Sequence, residues 1–135
     1  MANTLHDLVG EQHIMLTIPL TTIAQASTYG FLVPFKCKLI RMDVVPQANI
    51  TGAASHYFTW TFYNRGTDGT GTTSIQALAF SAASVTGTAF QKKAFYAPST
   101  ELAVASGTYL SFDTTKTGNG LATPVLNLDL VIRGN

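Results

Sequence analysis

Apolar residues recur at every second position over most of the chain, which is the spacing of β-strands with one buried face. The clearest run lies near the C-terminus, where apolar residues alternate with other positions at Leu126, Leu128, Leu130 and Ile132. Comparable runs begin at Ile14, Phe31, Ile40 and Phe58, and the segments 73–80 and 88–96 are β-prone with weaker alternation. About eight such strands follow one another without a helical pattern between them. The sequence therefore predicts an all-β sandwich or barrel.

Turn residues separate these runs. Segment 66–71 reads Gly-Thr-Asp-Gly-Thr-Gly and has no apolar residue, so it is predicted to be an exposed loop. Asn119-Gly120 is a pair favoured in tight hairpin turns. Segment 66–71 lacks the Lys-Ser or Lys-Thr pair of a phosphate-binding loop, so it is predicted to be a turn rather than a ligand site.

The alternation also assigns each side chain to a face. The predicted core combines the aromatic run that begins at Phe58 with the run near the C-terminus. It comprises Phe58, Trp60, Phe62, Leu126, Leu128 and Leu130. Three apolar residues take outward positions and are predicted to contact another protein subunit, namely Leu39, Val45 and Val131. Three carboxylates also take outward positions and are predicted to be solvated, namely Asp43, Asp113 and Asp129.

Residues 1–12 precede the first convincing strand and are predicted to be an N-terminal arm, with residues 13–135 as a single sandwich domain. Leu5, Leu8 and Val9 fit either a short helix or an extended segment. A sandwich closed by the later strands has no obvious place for them. We therefore expect these three residues to be partner-binding anchors that become ordered on contact, with packing on the chain's own sandwich as the alternative.

Charge is scarce and balanced. Charged residues make up 11% of the chain and the net charge is +1, whereas about 25% of a typical soluble domain is charged. Either partners cover much of the surface, or the many threonines of a β-rich domain replace charged residues. Nucleic-acid binding is not expected at this charge. No apolar stretch approaches the ~20 residues of a membrane-spanning helix, so no membrane association is expected either.

Candidate chemistry is sparse. Cys37 is the only cysteine and is predicted to be a buried thiol, and the three histidines form no close-spaced ligand pair. No nucleophile signature such as Gly-x-Ser-x-Gly is present. We therefore expect no enzymatic activity, no cofactor, no metal and no small-molecule substrate. Tyr57 and Tyr63 suggest an alternative, because an outward aromatic row on a sandwich could stack on sugar rings; packing against a neighbouring strand or subunit is favoured for them.

Three segments together resemble a known family. The first is 30–40, a strand that runs through Pro34-Phe35 into a second strand. The second is 102–112, in which Gly107 precedes a pair of alternating apolar residues, and the third is the last strand after Pro124. In this order, in a chain of this length, they resemble the jelly-roll decoration (cement) proteins of tailed bacteriophage capsids. The resemblance extends from about residue 14 to residue 132.

This resemblance implies a jelly-roll β-sandwich of about eight antiparallel strands. It implies a structural virion protein that is made in the host cytoplasm and binds the outer capsid surface. Such a protein would bind the major capsid protein as a homotrimer and bridge neighbouring capsid subunits. The family has no catalytic residues to carry over. A carbohydrate-binding or receptor-binding module of a fibre or tail tip is the alternative.

Overall fold

A computed structural model describes residues 10–19 and 27–134. Within these ranges the chain forms eleven β-strands and no helix, which confirms the predicted all-β class. In chain order the strands are β1 (Glu11–Ile18), β2 (Ser27–Leu32), β3 (Cys37–Pro46), β4 (Ile50–Thr51), β5 (Tyr57–Asn64), β6 (Thr73–Ala79), β7 (Thr86–Gly87), β8 (Lys93–Tyr96), β9 (Leu102–Val104), β10 (Tyr109–Thr117) and β11 (Leu126–Gly134).

These strands form two main sheets, and every pairing is antiparallel. The five-stranded sheet has the order β1-β11-β3-β8, with β9 also paired to β3. The four-stranded sheet has the order β2-β10-β5-β6. The short strands β4 and β7 pair only with each other. The count exceeds the predicted eight because three strands contain only two or three residues.

The two main sheets pack against each other through aromatic side chains, as in a β-sandwich. The ring centroid of Trp60 in β5 lies 5.8 Å from that of Phe95 in β8, in an edge-to-face arrangement. Phe62 in β5 lies 5.7 Å from Tyr96 in β8. Such contacts add to the stability that burial of the rings provides. The predicted core is confirmed, since all six of its residues are fully buried: Phe58, Trp60, Phe62, Leu126, Leu128 and Leu130.

The first strand begins slightly earlier than the sequence predicted. Burial alternates along β1, with Ile14 and Leu16 packed against the core and Met15 exposed. Its first residue, Glu11, pairs with Arg133, so the strand starts two residues before the predicted domain boundary at residue 13. The remainder of the predicted arm, residues 1–9, lies outside the described residues.

Two connections differ from the sequence prediction. The predicted strand 88–96 contains only β8, because residues 88–92 form a loop. The Asn119-Gly120 turn does not close a hairpin, since it leads from β10 in one sheet to β11 in the other. Segment 66–71, in contrast, is an exposed loop between the paired strands β5 and β6, as predicted.

Candidate functional site

The structure changes the set of residues available to a partner. Leu39 and Val131, which the alternation placed on the outside, are both fully buried, so their predicted outward exposure is wrong. Val45 is half-buried. The other three predicted contact residues, Leu5, Leu8 and Val9, lie outside the described residues, and their role stays a prediction.

A β-bulge in β3 explains the position of Leu39. Val131 of β11 pairs with Arg41, but the next residue, Ile132, pairs with Leu39, so Ile40 is the extra residue. An extra residue reverses the facing of every position beyond it, because side chains alternate with a period of two. Leu39 therefore points inward together with Cys37, whereas Ile40 is only half-buried.

Val131 is buried for a different reason. It lies on the outer face of the five-stranded sheet, between His13 of β1 and Arg41 of β3 in the strand register. It is fully buried and yet is not part of the interior apolar cluster. The long side chains of its two neighbours flank it on this face, so Val131 is not available as a contact residue in the folded chain.

The same outer face carries a network of charged side chains. His13 Nδ1 lies 2.8 and 2.9 Å from the two carboxylate oxygens of Asp129. Arg41 donates hydrogen bonds to Asp43 at 3.2 Å and to Glu11 at 3.4 Å. The bond to Asp43 raises the pKa of the Arg41 guanidinium, and Glu11 adds to the effect. These contacts join β1, β11 and β3 side by side.

Two of the carboxylates predicted to be solvated are buried. Asp43 faces Asp129 directly across β3 and β11. The Arg41 guanidinium beside Asp43 offsets this like-charge pairing, and His13 Nδ1 lies within hydrogen-bond distance of Asp129. Asp113 is buried on the outer face of the four-stranded sheet. Of the three, only Asp129 is appreciably exposed. The prediction failed because alternation assigns a face but does not say what covers it.

Asp113 belongs to a compact cluster around Arg65. Arg65 donates one hydrogen bond to the Asp113 carboxylate at 2.7 Å and another to the Ser111 hydroxyl at 2.9 Å. Ser111 in turn donates to Asp113 at 2.8 Å. Tyr109 packs over Gly30, where any side chain would collide with its ring. This face is therefore closed by its own side chains.

Tyr57 and Tyr63, the two tyrosines of the alternative sugar platform, have contacts within the fold. The guanidinium of Arg65 lies over the Tyr63 ring, 4.6 Å from its centroid. Tyr57 is partly buried and packs against the interior cluster. Their arrangement fits the favoured interpretation, in which these rings pack against neighbouring parts of the protein.

Four large apolar side chains among the described residues remain exposed. They are Phe90 at 76%, Met15 at 73%, Leu32 at 66% and Leu102 at 38% exposure. Leu32 ends β2, and Leu102 begins β9, where it pairs with Leu39 near the start of β3. Glu11, the first residue of β1, lies at the same end of the sandwich. It pairs with Arg133 of β11, which in turn pairs with Lys38 near the start of β3. We call the end of the sandwich with Glu11, Leu32 and Leu102 the arm end.

Phe90 lies at the opposite end of the sandwich. It is the only described residue other than glycine with a positive φ, at 59°. Its amide donates to the carbonyl of Pro46, the last residue of β3, at 2.8 Å. The ten residues of β3 separate this point from the arm end by about 30 Å at the usual rise of a strand.

Hydrogen bonds hold the loop around Phe90 in place. The Ala89 amide donates to the side chain of Asn49 at 2.8 Å, and the Gln91 amide donates to the Thr88 carbonyl at 3.1 Å. A left-handed backbone costs a non-glycine residue about 1–2 kcal/mol. The backbone of Phe90 is therefore strained, while its side chain stays in solvent. Strained backbone positions are concentrated at binding sites.

A depression lies in the same loop, and two of its lining residues, Thr88 and Gln91, flank residues 89 and 90 in the sequence. Its volume is about 240 Å³, and its lining residues are Thr86, Gly87, Thr88, Gln91, Lys92 and Lys93. Residues 86–93, which contain both the depression and Phe90, are called the Phe90 loop below. This site was not predicted from the sequence, because residues 88–96 are β-prone. The available signal was a single aromatic residue, Phe90, followed by the polar run 91–93 without alternation.

Reactive and metal-binding groups are sparse among the described residues. Cys37 is buried, and burial raises the pKa of its thiol to about 11, which disfavours the nucleophilic thiolate. His56 accepts a hydrogen bond from the Asn119 amide at 3.0 Å. Within residues 10–19 and 27–134, no group of three or more His, Cys, Asp or Glu side chains is placed to hold a metal ion. The Phe90 loop and the arm end are therefore the features that remain as candidates.

No helix long and apolar enough to span a membrane occurs in the described part of the chain. Comparisons with protein-family models, curated proteins and solved structures found no match to this chain.

Proposed function

We propose that this chain is a jelly-roll decoration protein of a tailed-phage capsid and that it attaches through its arm end. The order of strand pairing supports the jelly roll. The outermost strands in sequence, β1 and β11, pair with each other, and so do β2 and β10. Further in, β3 pairs with β8 and β9, and β5 pairs with β6. This nested antiparallel pairing across two sheets is typical of jelly rolls, which are common in viral capsid proteins.

The observation that carries the proposal is the pair of exposed leucines at the arm end. Leu32 and Leu102 are large apolar side chains in the region where the predicted N-terminal arm joins β1. Exposed apolar groups at one end of a domain can form a protein interface. The arm end therefore offers two leucines of the folded domain to a partner surface, and Leu5, Leu8 and Val9 are proposed to contact the same partner.

The proposed partner is the major capsid protein, on the outer surface of the virion. A homotrimer of this chain would place three arm ends on neighbouring capsid subunits. Binding that occurs only on the assembled shell shifts the equilibrium towards assembly, so the shell becomes more resistant to dissociation. This role requires no catalytic group, cofactor or nucleic-acid contact.

Cryo-electron microscopy of virus particles that contain this chain is the direct test. We expect trimers on the outer capsid surface, with the arm end facing the shell and the Phe90 loop facing solvent. Sedimentation of the purified protein should also give a trimer. A stable monomer, or density for the chain inside the capsid, would contradict the proposal.

A binding assay tests the contact surface itself. Purified chain is added to capsids that lack it, and the bound fraction is measured by co-sedimentation. The double variant Leu32→Thr and Leu102→Thr, and a variant without residues 2–9, should each bind at least about tenfold more weakly. Phe90→Asn is the matched control, because it removes an exposed apolar group at the opposite end and should bind like the unmodified chain.

A carbohydrate-binding or receptor-binding module of a fibre or tail tip is the second candidate. The Phe90 loop favours it, because a polar depression beside an exposed aromatic ring suits a sugar ligand. The location of the chain on the particle separates the two candidates. Density at a fibre or tail tip instead of the capsid surface would favour the second.

A further inference from the structure

The depression in the Phe90 loop has an unusual set of functional groups for so small a space. Its lining residues include Thr86, Thr88 and Gln91, which carry hydroxyl and amide groups, and the two lysines Lys92 and Lys93. No carboxylate lines it. Hydroxyls and amides form hydrogen bonds with hydroxyl-rich ligands, and ammonium groups attract anions. The lining therefore suits a ligand that carries both hydroxyls and a negative charge.

Its walls are held in place before any ligand arrives. Lys93 Nζ donates a hydrogen bond to the Thr86 carbonyl at 2.8 Å, which ties one side of the loop to the other. Gly87 is buried and pairs with Ile50 in the short β4–β7 ribbon. A site that is already formed loses less conformational entropy when it binds.

Phe90 supplies the apolar element. Its ring lies on the same loop, between residues that line the depression, and is largely free of contacts with the fold. The face of an aromatic ring carries partial negative charge and attracts the polarised C–H groups of another molecule. A sugar ring presents such C–H groups on one face and its hydroxyls around the edge. The volume of about 240 Å³ is below the ~300–1,000 Å³ of drug-sized pockets, so it suits one sugar residue.

We propose that the Phe90 loop binds an acidic saccharide, with one sugar ring against Phe90 and its carboxylate at Lys92 and Lys93. Thr86, Thr88 and Gln91 would hydrogen-bond the sugar hydroxyls. The proposal does not depend on the capsid role, because the loop lies at the opposite end of the sandwich from the arm end. On a particle attached through the arm end, the site would face the surroundings.

Single-stranded nucleic acid is the other polymer with stacking rings and anions. The chain as a whole disfavours it, because the net charge is +1 and Lys92-Lys93 is the only adjacent basic pair. Nucleic-acid binding normally uses several cations along a groove. An oligonucleotide is therefore included in the test as a competing ligand.

Titration calorimetry on the full-length protein tests the proposal with two acidic probes, a hyaluronan tetrasaccharide and trigalacturonate. Each is compared with its carboxylate methyl ester, which keeps the sugar rings and removes the charge. We expect saturable binding of at least one acid and binding at least about tenfold weaker of its ester. Inorganic phosphate and an eight-residue oligothymidylate should bind more weakly than that acid.

Variants assign the binding to the loop. Phe90→Asn removes the ring but tolerates the left-handed backbone, and Lys92→Gln removes a charge at an exposed position. Each should weaken binding of the acid at least about tenfold. Phe90→Tyr, which keeps an aromatic ring, and Lys116→Gln, which removes an exposed lysine outside the loop, should bind like the unmodified protein. Thermal melts of every variant verify that it is folded.

Several results would overturn the proposal. These are no binding of either acid, equal binding of acid and ester, tighter binding of the oligothymidylate, or full affinity in folded Phe90→Asn and Lys92→Gln. None of these results bears on capsid attachment, which the co-sedimentation assay measures with arm-end variants.

Discussion

Replacing Leu39 with alanine tests the β-bulge in β3. Strict alternation places Leu39 outside and Ile40 inside, whereas the bulge at Ile40 gives the reverse. Leu39 is fully buried in the interior cluster. A buried leucine truncated to alanine typically costs about 2–5 kcal/mol, because apolar contact is lost and a cavity remains. We expect Leu39→Ala to lower the free energy of unfolding by about 3 kcal/mol.

Ile40→Ala is the matched control, since it changes the neighbouring residue by a similar volume. Ile40 is half-buried, so only part of the removed surface was shielded from water, and no closed cavity remains. At about 0.8 kcal/mol for each fully buried methylene, half of three carbons amounts to about 1 kcal/mol. The two variants should therefore differ by about 2 kcal/mol.

Guanidinium chloride unfolding followed by fluorescence measures this difference. Trp60 is the only tryptophan and is fully buried, so its emission reports on the core directly. The dependence of the free energy on denaturant should stay unchanged, which shows that the same surface is exposed on unfolding. An Ile40→Ala variant that loses as much stability as Leu39→Ala, or more, would refute the bulge and restore the simple alternation.

Three further predictions test other parts of the structure. Phe90→Gly should leave the free energy of unfolding unchanged or raise it, because glycine accepts a positive φ. Phe90→Val should lower the free energy of unfolding by about 1–2 kcal/mol. Chemical denaturation compares the two variants. Arg65→Met should cost about 1–3 kcal/mol, because the buried Asp113 carboxylate loses a hydrogen-bond donor, and the double variant Arg65→Met with Asp113→Leu should recover part of that loss. Stability should fall as the pH rises from about 9 to about 11, because the unfolded chain releases the Cys37 proton at a lower pH than the folded chain does. The fall should be smaller in Cys37→Ala, and an equal fall in both proteins would contradict the buried thiol.

The composition of the core could be predicted from the sequence because it depends on short-range alternation. The side chains of a strand take opposite faces in turn, so Phe58, Trp60 and Phe62 share a face wherever the strand lies. The same reasoning holds for Leu128 and its neighbours in β11. The all-β class and the loop at 66–71 also follow from local patterns, and the structure confirms both.

Facing in β3 could not be predicted in this way. The bulge at Ile40 is a property of the register between β3 and β11, which are far apart in the chain. Nothing in the residues around Leu39 indicates where the extra residue will fall. Asp113 shows the same limit, because the arginine that covers it lies 48 residues away. Its burial depends on which strands become neighbours.

The Phe90 loop depended most on the tertiary structure. Its conformation requires hydrogen bonds to Pro46 and Asn49, about forty residues earlier in the chain, and these fix an aromatic residue in a backbone conformation that it would not adopt alone. Local sequence determined that Phe90 is apolar and that polar residues follow it at positions 91–93. Only the packing of distant segments decided that its side chain would be held in solvent beside a depression lined with lysines, because long-range contacts alone can offset the local strain.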